Sequence, residues 1–238
     1  MNIILFSPAE VELPLPRQDP RARHILDVLR RQPGDTFDAG LINGPRGKAT
    51  LVHVRDAALE LSFAWSQPPP PLVPVRLIIG MPRPQTARDL LRENSSLGVS
   101  ALDFVGTEKS EPGYARSSLW STEESARLLI AGAAQAFSTR LPELRHGHSL
   151  AEALARLPAI GARIALDNYE AAEPLGRLAL SATPVTLALG AERGWSDAER
   201  TQLRGQGFLF AHLGDRVLRT ETACIAAVTL LKAKLGLT

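Results

Sequence analysis

At 238 residues the chain is long enough for one large domain or two modest ones, and its 45% hydrophobic and 22% charged residues are those of an ordinary soluble globular protein. A single cysteine, Cys224, excludes an intramolecular disulfide and any CxxC-type zinc site, and no apolar stretch reaches the ~20 residues that span a bilayer. A net charge of +2 and a pI near 9.0 permit a nucleic-acid partner without requiring one.

In chain order, the start Met1-Asn-Ile-Ile-Leu-Phe-Ser-Pro8 lacks the basic region of a signal peptide, so the cytoplasm is the expected location. Ile3 to Phe6 reads as a short strand, and Asp19-Pro20 as a capping residue and first-turn proline opening a helix. Arg17, Arg21, Arg23, Arg30 and Arg31 crowd this stretch. They make either a phosphate-binding face or a solvated one with Asp19 and Asp27 as local partners. Strands follow at Thr36 to Ile42, Lys48 to Arg55 and Leu59 to Ala64, with a hairpin turn at Asn43 to Gly47. This pattern predicts a small β-barrel domain over residues 1–67. Residues 68–74 then predict a stiff proline-rich linker that continues neither strand nor helix.

Over 75–238 strands and helices alternate, which predicts a parallel sheet of the α/β class. Strands are expected at Val75 to Gly80, Ala101 to Val105, Arg163 to Leu166, Val185 to Leu189 and Phe208 to Leu213. Helices are expected at Thr86 to Leu97, from Ser121 through Ala136, behind a capping box at Ser196-Asp-Ala-Glu199, and at Thr220 to Leu235. Cys224, inside the apolar run Ala223 to Val228, reads as a buried core residue. His146 and His148, flanking a glycine in an expected loop, read as surface polar residues, and no His/Asp/Glu set has metal-ligand spacing.

No GxGxxG, phosphate-loop or GxSxG motif is present. What remains is a pair of glycine-bearing strand exits, Leu187-Ala-Leu-Gly-Ala-Glu-Arg-Gly-Trp-Ser196 and Leu213-Gly-Asp-Arg-Val-Leu-Arg-Thr-Glu-Thr-Ala223. Side by side they make a crevice at the carboxyl ends of parallel strands, where open α/β sheets place ligands. Gly190, Gly194 and Gly214 serve there as ligand-approach points or as plain turns, and Glu192, Arg193, Arg219 and Glu221 as site charges or as salt-bridged helix caps.

The wording of these segments resembles the RsmE family of SPOUT methyltransferases, which methylate N3 of a uridine in 16S ribosomal RNA with S-adenosylmethionine. The resemblance covers essentially the whole chain: Arg21-Ala-Arg-His24, Val28-Leu-Arg30 and Gly34-Asp35; Pro82-Arg83-Pro84 and Leu97-Gly98-Val99; Glu108-Lys-Ser110 with Trp120; Ala134-Gln135 with Ser138, Arg140 and Pro142; and, most specific, Leu213 to Ala223. It implies a SPOUT-type parallel sheet with a C-terminal trefoil knot, preceded by a PUA-like RNA-binding barrel, in a metal-independent, non-membrane homodimer acting on 16S rRNA or the small ribosomal subunit.

Carried onto this sequence, the resemblance implies Arg219 and Glu221 as catalytic, with the arginine stabilising negative charge on the uracil. It implies S-adenosylmethionine contacts from Leu189, Gly190, Glu192, Gly194, Leu213, Gly214, Val217, Leu218 and Thr222, and RNA contacts from Arg21, Arg23, His24, Arg30, Arg83, Gln135 and Arg140. One loop departs from the family: Gly190-Ala-Glu-Arg-Gly194 stands where Gly-Pro-Glu-Gly-Gly is usual, and an arginine takes positive φ less cheaply than glycine. Ser95-Ser96 stand where an acidic residue is frequent, and Arg83 where lysine is common. The alternative is a non-catalytic rRNA-binding assembly factor with a degenerate cofactor loop. A transfer-RNA methyltransferase fits the N-terminal domain less well.

Overall fold

The computed structural model describes residues 2–180 and 182–237. These form two compact units: the chain up to Pro71 together with Ile130–Leu141, and Leu72–Leu129 together with the chain from Pro142 onward.

The first unit is a curled mixed sheet. Its strands are β1 (Ile4–Phe6), β2 (Leu15–Pro16), β3 (Thr36–Leu41), β4 (Arg46–Val54) and β5 (Ala58–Gln67), in the order β1-β3-β4-β5-β2, with β1 and β3 parallel and the other pairs antiparallel. Between β2 and β3 lies α1 (Pro20–Arg23), where the Asp19 carboxylate accepts from the Arg21 N–H at 2.7 Å and Pro20 occupies the first turn. Alternation does the rest: Phe6, Phe37, Ala39, Ala49, Leu51 and Leu59 point inward and bury against Ala22 and Ile25 of the helical stretch. The sequence places Ile130–Leu141 with the second domain, whereas here it groups with the first unit. Ala133 buries against Ile3 and Leu5, Arg46 donates to the Phe137 carbonyl at 2.9 Å, and Thr139 Oγ1 donates to the Gly44 carbonyl at 2.6 Å.

The second unit is built on seven strands, all paired in parallel: β6 (Val73–Gly80), β7 (Val99–Gly106), β8 (Glu143–Ser149), β9 (Ala162–Leu166), β10 (Glu173–Pro174), β11 (Val185–Leu189) and β12 (Leu209–His212), ordered β10-β12-β9-β11-β6-β7-β8. Their helices are α2 (Pro84–Leu97), α3 (Thr122–Gln135, which crosses the boundary between units), α4 (Leu150–Ala155), α5 (Asp197–Gly205) and α6 (Thr220–Lys234). Because helices cover both faces, the central strands are largely buried and apolar, and every residue of β11 is buried. On one face Ile78, Val105, Ala165 and Ala188 bury under Leu150, Leu154 and Leu203 of α4 and α5. On the other, α2 and α6 pack together, with Cys224 of α6 fully buried and its Sγ 3.3 Å from Asn94 Oδ1 of α2. Burial pushes the Cys224 thiol up to about 12, which makes it a core residue and no nucleophile.

Two expectations need correction. The linker is shorter than residues 68–74, because β6 begins at Val73 and takes in Pro74. A proline is tolerated there because the β6–β7 register shifts between Val73 and Arg76, at a bulge where a missing N–H costs no ladder bond. Nor do His146 and His148 lie in a loop. They sit on the edge strand β8, and His148 turns inward, its Nε2 3.2 Å from the buried Asp103 carboxylate, which Arg76 also holds at 3.0 Å. The capping box at Ser196 and Glu199 is present as expected, and Gly98 ends α2 in the left-handed conformation.

Candidate functional site

Three parallel strands of the second unit end side by side, and their exits converge on one cavity of about 170 Å³. From β9 come Leu166, Asp167, Asn168 and Tyr169; from β11, Leu189 to Gly194; from β12, His212 and Leu213. Arg216, Val217 and Leu218 close the mouth, and Thr220 and Ala223 bring the first turn of α6 to the wall. This is the crevice that strand ends in a doubly covered parallel sheet are bound to form.

Close backbone packing shapes the middle loop. The Gly194 N–H donates to the Ala191 carbonyl at 2.8 Å, folding the loop so tightly that a Cβ on Gly190 would lie 2.8 Å from the Gly194 Cα. Gly80, at the end of β6, sits under the same loop, and a Cβ there would collide with the Ala191 nitrogen. The positive φ of this loop falls on Gly194, at +67°, while Arg193 stays outside that region. The arginine therefore replaces a glycine at a position that does not require one. Glu192 fixes the loop further, its carboxylate accepting from the Arg83 N–H at 2.9 Å at the start of α2.

The β9 exit is held as firmly. The Asp167 carboxylate accepts from the N–H groups of Tyr169 (2.7 Å) and Glu170 (2.8 Å) and from Arg200 Nε (2.8 Å). Burial works to lower the pKa of Arg200, yet the bond to Asp167 and the surrounding carboxylates hold it above the usual arginine value. Trp195, fully buried, donates from its ring to the Leu166 carbonyl at 3.1 Å and joins the two exits. At the third exit Gly214, at φ +110°, donates its N–H to His212 Nδ1 at 3.0 Å, which leaves the Nε2 face of a neutral imidazole as a donor.

Of the residues carried over as cofactor contacts, Leu189, Gly190, Glu192, Gly194, Leu213, Val217 and Leu218 line the cavity, whereas Gly214 and Thr222 lie outside its lining. Arg219 is the exposed N-cap of α6 and Glu221 is half-buried in its first turn, both next to lining residues. Among the described residues the two make no ion pair, so they are not a salt-bridged cap. The Arg219 side chain makes no capping bond, and the N–H groups of the first α6 turn are left open at the cavity wall. Asp167, Asn168, Tyr169 and His212 were missed in the sequence. The β9 exit at Leu166 carries no glycine to mark its turn, which is the signal that picked out the other two loops.

The RNA residues separate by unit. Arg83 lies in the second, while Arg21, Arg23, His24, Arg30, Gln135 and Arg140 lie in the first. Arg23, Arg30, Gln135 and Arg140 are exposed. Arg21 is engaged: its guanidinium lies 2.5 Å from Glu10 and 2.8 Å from Asp19 and donates to the Leu5 carbonyl at 3.0 Å.

Comparison with known proteins follows the same lines. Residues 68–232 match the family model described as an RNA methyltransferase domain. Ribosomal RNA small subunit methyltransferase E of Treponema pallidum is 36% identical, the alignment covering 98% of this chain and 91% of that protein. The chain belongs to the ribosomal RNA small subunit methyltransferase E family. A further member of the family, from Borreliella burgdorferi, is 26% identical over 99% of both chains. The crystal structure of the Neisseria gonorrhoeae family member bound to S-adenosyl methionine superposes with a TM-score of 0.75, at 23% identity and 97% coverage of each chain. At that identity the likeness shows the fold alone. Among the described residues no helix is long and apolar enough to cross a membrane, and no group of three or more His, Cys, Asp or Glu side chains is placed to hold a metal.

Proposed function

We propose that this family member methylates N3 of a uridine in the 16S ribosomal RNA of the small subunit, with S-adenosylmethionine as donor. The observation that carries this reading is the cavity where β9, β11 and β12 end. Its lining fits the donor: Leu189, Val217, Leu218 and Ala223 offer aliphatic walls for a purine, the backbone at Gly190 and Leu213 offers polar edges, and the open first turn of α6 suits a carboxylate. Gly214 and Thr222 then act by shaping the wall rather than touching the donor. When bound, the donor supplies a methyl group on a sulfonium, its C–S bond breaking as the C–N3 bond forms.

Arg219, exposed and without an ion-pair partner among the described residues, stabilises the negative charge that uracil gains as N3 loses its proton. Glu221, half-buried in the first α6 turn where the helix dipole favours a carboxylate, assists proton removal. Arg23, His24, Arg30, Gln135 and Arg140 make the curled sheet of the first unit a PUA-like RNA-binding module, and Arg83 adds a contact from the second. The strand order supports a trefoil knot: after β9 the chain runs to the edge strand β10, crosses to β11 on the other flank of β9, and returns to β12 between β10 and β9. A cytoplasmic homodimer completes the reading. The departure at Arg193 gives the docking-factor alternative little support, because the positive φ rests on Gly194.

The test is methyl transfer from radiolabelled S-adenosylmethionine to small subunits from cells lacking this modification, with nucleoside analysis. Label in 3-methyluridine of 16S RNA is the expected result. Absence of label from folded protein that still binds the RNA overturns the reading in favour of a docking factor.

A further inference from the structure

A second cleft, of about 350 Å³, opens beside the first. Glu192 and Arg193 line both cavities. The second cleft adds Arg83, the Glu108 to Glu111 loop and Tyr114. That loop is held rigidly: the Glu108 N–H donates to Glu199 at 2.8 Å, and Lys109 Nζ to the Trp195 carbonyl at 2.7 Å. Its lining is therefore preorganised, a property that positioning sites share.

The chemistry of the lining selects its occupant. Cations and carboxylates alternate around the cleft, so it is not a plain phosphate sink; Glu192 is already committed to the Arg83 N–H. A mixed donor and acceptor wall fits the edge of uracil, which carries one N–H between two carbonyls. Tyr114 adds a ring, and aromatic side chains are the usual platforms for an unstacked base. Arg193 is exposed on the wall common to both cavities, and among the described residues it has no ion-pair or hydrogen-bond partner. We infer that the second cleft receives the target uracil of the RNA and that Arg193, at the shared wall, donates to a carbonyl oxygen of that base. This rests on the methyl-transfer reading above and adds to it the seat of the acceptor. The arginine that departs from the family's usual glycine is thus a cation at the wall where charge develops on the base.

The experiment uses the full-length protein and its Arg193→Ala and Arg193→Lys variants. Methyl transfer to unmodified small-subunit RNA, affinity for S-adenosylmethionine by calorimetry and photo-crosslinking to a 5-bromouridine-substituted RNA with S-adenosylhomocysteine present are measured in parallel. In Arg193→Ala, kcat/KM for the RNA is expected to fall by roughly a hundredfold, a larger loss than that in donor affinity, to which Arg193 also contributes wall. The rising limb of the pH–rate profile moves to higher pH, and Arg193→Lys restores part of both. Wild-type crosslinks are expected within residues 108–114 and 192–193. Wild-type protein that transfers methyl but crosslinks elsewhere, or an Arg193→Ala variant with normal turnover, overturns the cleft assignment alone. Wild-type protein that crosslinks here and transfers nothing overturns the methyl-transfer reading and leaves the base seat standing. Neither crosslink nor transfer removes both.

Discussion

Arg21 and Arg219 are the same residue type in opposite surroundings. Arg21 is saturated: two carboxylates, a backbone carbonyl and the Phe6 ring, 5.1 Å from the guanidinium, take up its donors and its face. Arg219 is the exposed N-cap of α6, next to cavity-lining residues, with no ion-pair partner among the described residues. Both belong to segments that carry the family resemblance, yet one is bound up in ion pairs and the other has none among the described residues. For arginine, the carboxylates within reach decide the role more than the motif around it.

The sharpest way to break this contrast is Arg219→Ala. If the free guanidinium stabilises the uracil anion, kcat falls by about 100–1,000-fold with the melting temperature unchanged; a folded variant with normal turnover sinks that role. Gly190→Val comes next. The added side chain must displace Gly194, so S-adenosylmethionine affinity by calorimetry should fall at least about tenfold, with about 1–3 kcal/mol of stability lost to overpacking. Arg21→Ala should do the reverse of Arg219→Ala, costing about 1–3 kcal/mol in denaturant unfolding and leaving the methyl-transfer step intact. It should also change the acid limb. The Arg21 hydrogen bond holds the Glu10 carboxyl at about 2, below its ordinary 4.5, so this pair's contribution is full above pH 4.5 and fades as pH falls toward 2. Stability curves of wild type and variant should converge across that window. The smallest effect belongs to Arg140→Ala: stability within about 0.5 kcal/mol, and a salt dependence of RNA binding shallower by about 0.7–0.9 in log–log slope.

The parts of this architecture that show in the sequence are those where one physical signal dominates. The short, β-branched and apolar stretch of β11, the capping box at Ser196 and the glycine behind α2 each point to a single local structure. The edge strand β8 escaped because its segment, Glu-Leu-Arg-His-Gly-His-Ser, carries no apolar run; its parallel pairing with β7 makes it a strand. Ile130–Leu141 escaped because helix periodicity says which face is buried and nothing about which unit buries it. At the candidate site, the two glycine-bearing exits were legible from their turns. The third, Asp167 to Tyr169, has no glycine and is built by carboxylate-to-backbone bonds that only the folded chain brings together.

The inward-turned thiol of Cys224 has a use of its own. It lies on α6, whose first turn walls the cavity, and it is the only cysteine in the chain. A thiol reagent can modify it only when α6 lifts from α2, so the labelling rate under native conditions is a clock for that local opening. Any ligand that binds only the closed cavity slows the clock by the factor 1 + [ligand]/Kd. The protein thereby carries an internal reporter of occupancy, readable by mass without a radiolabel, an RNA substrate or turnover.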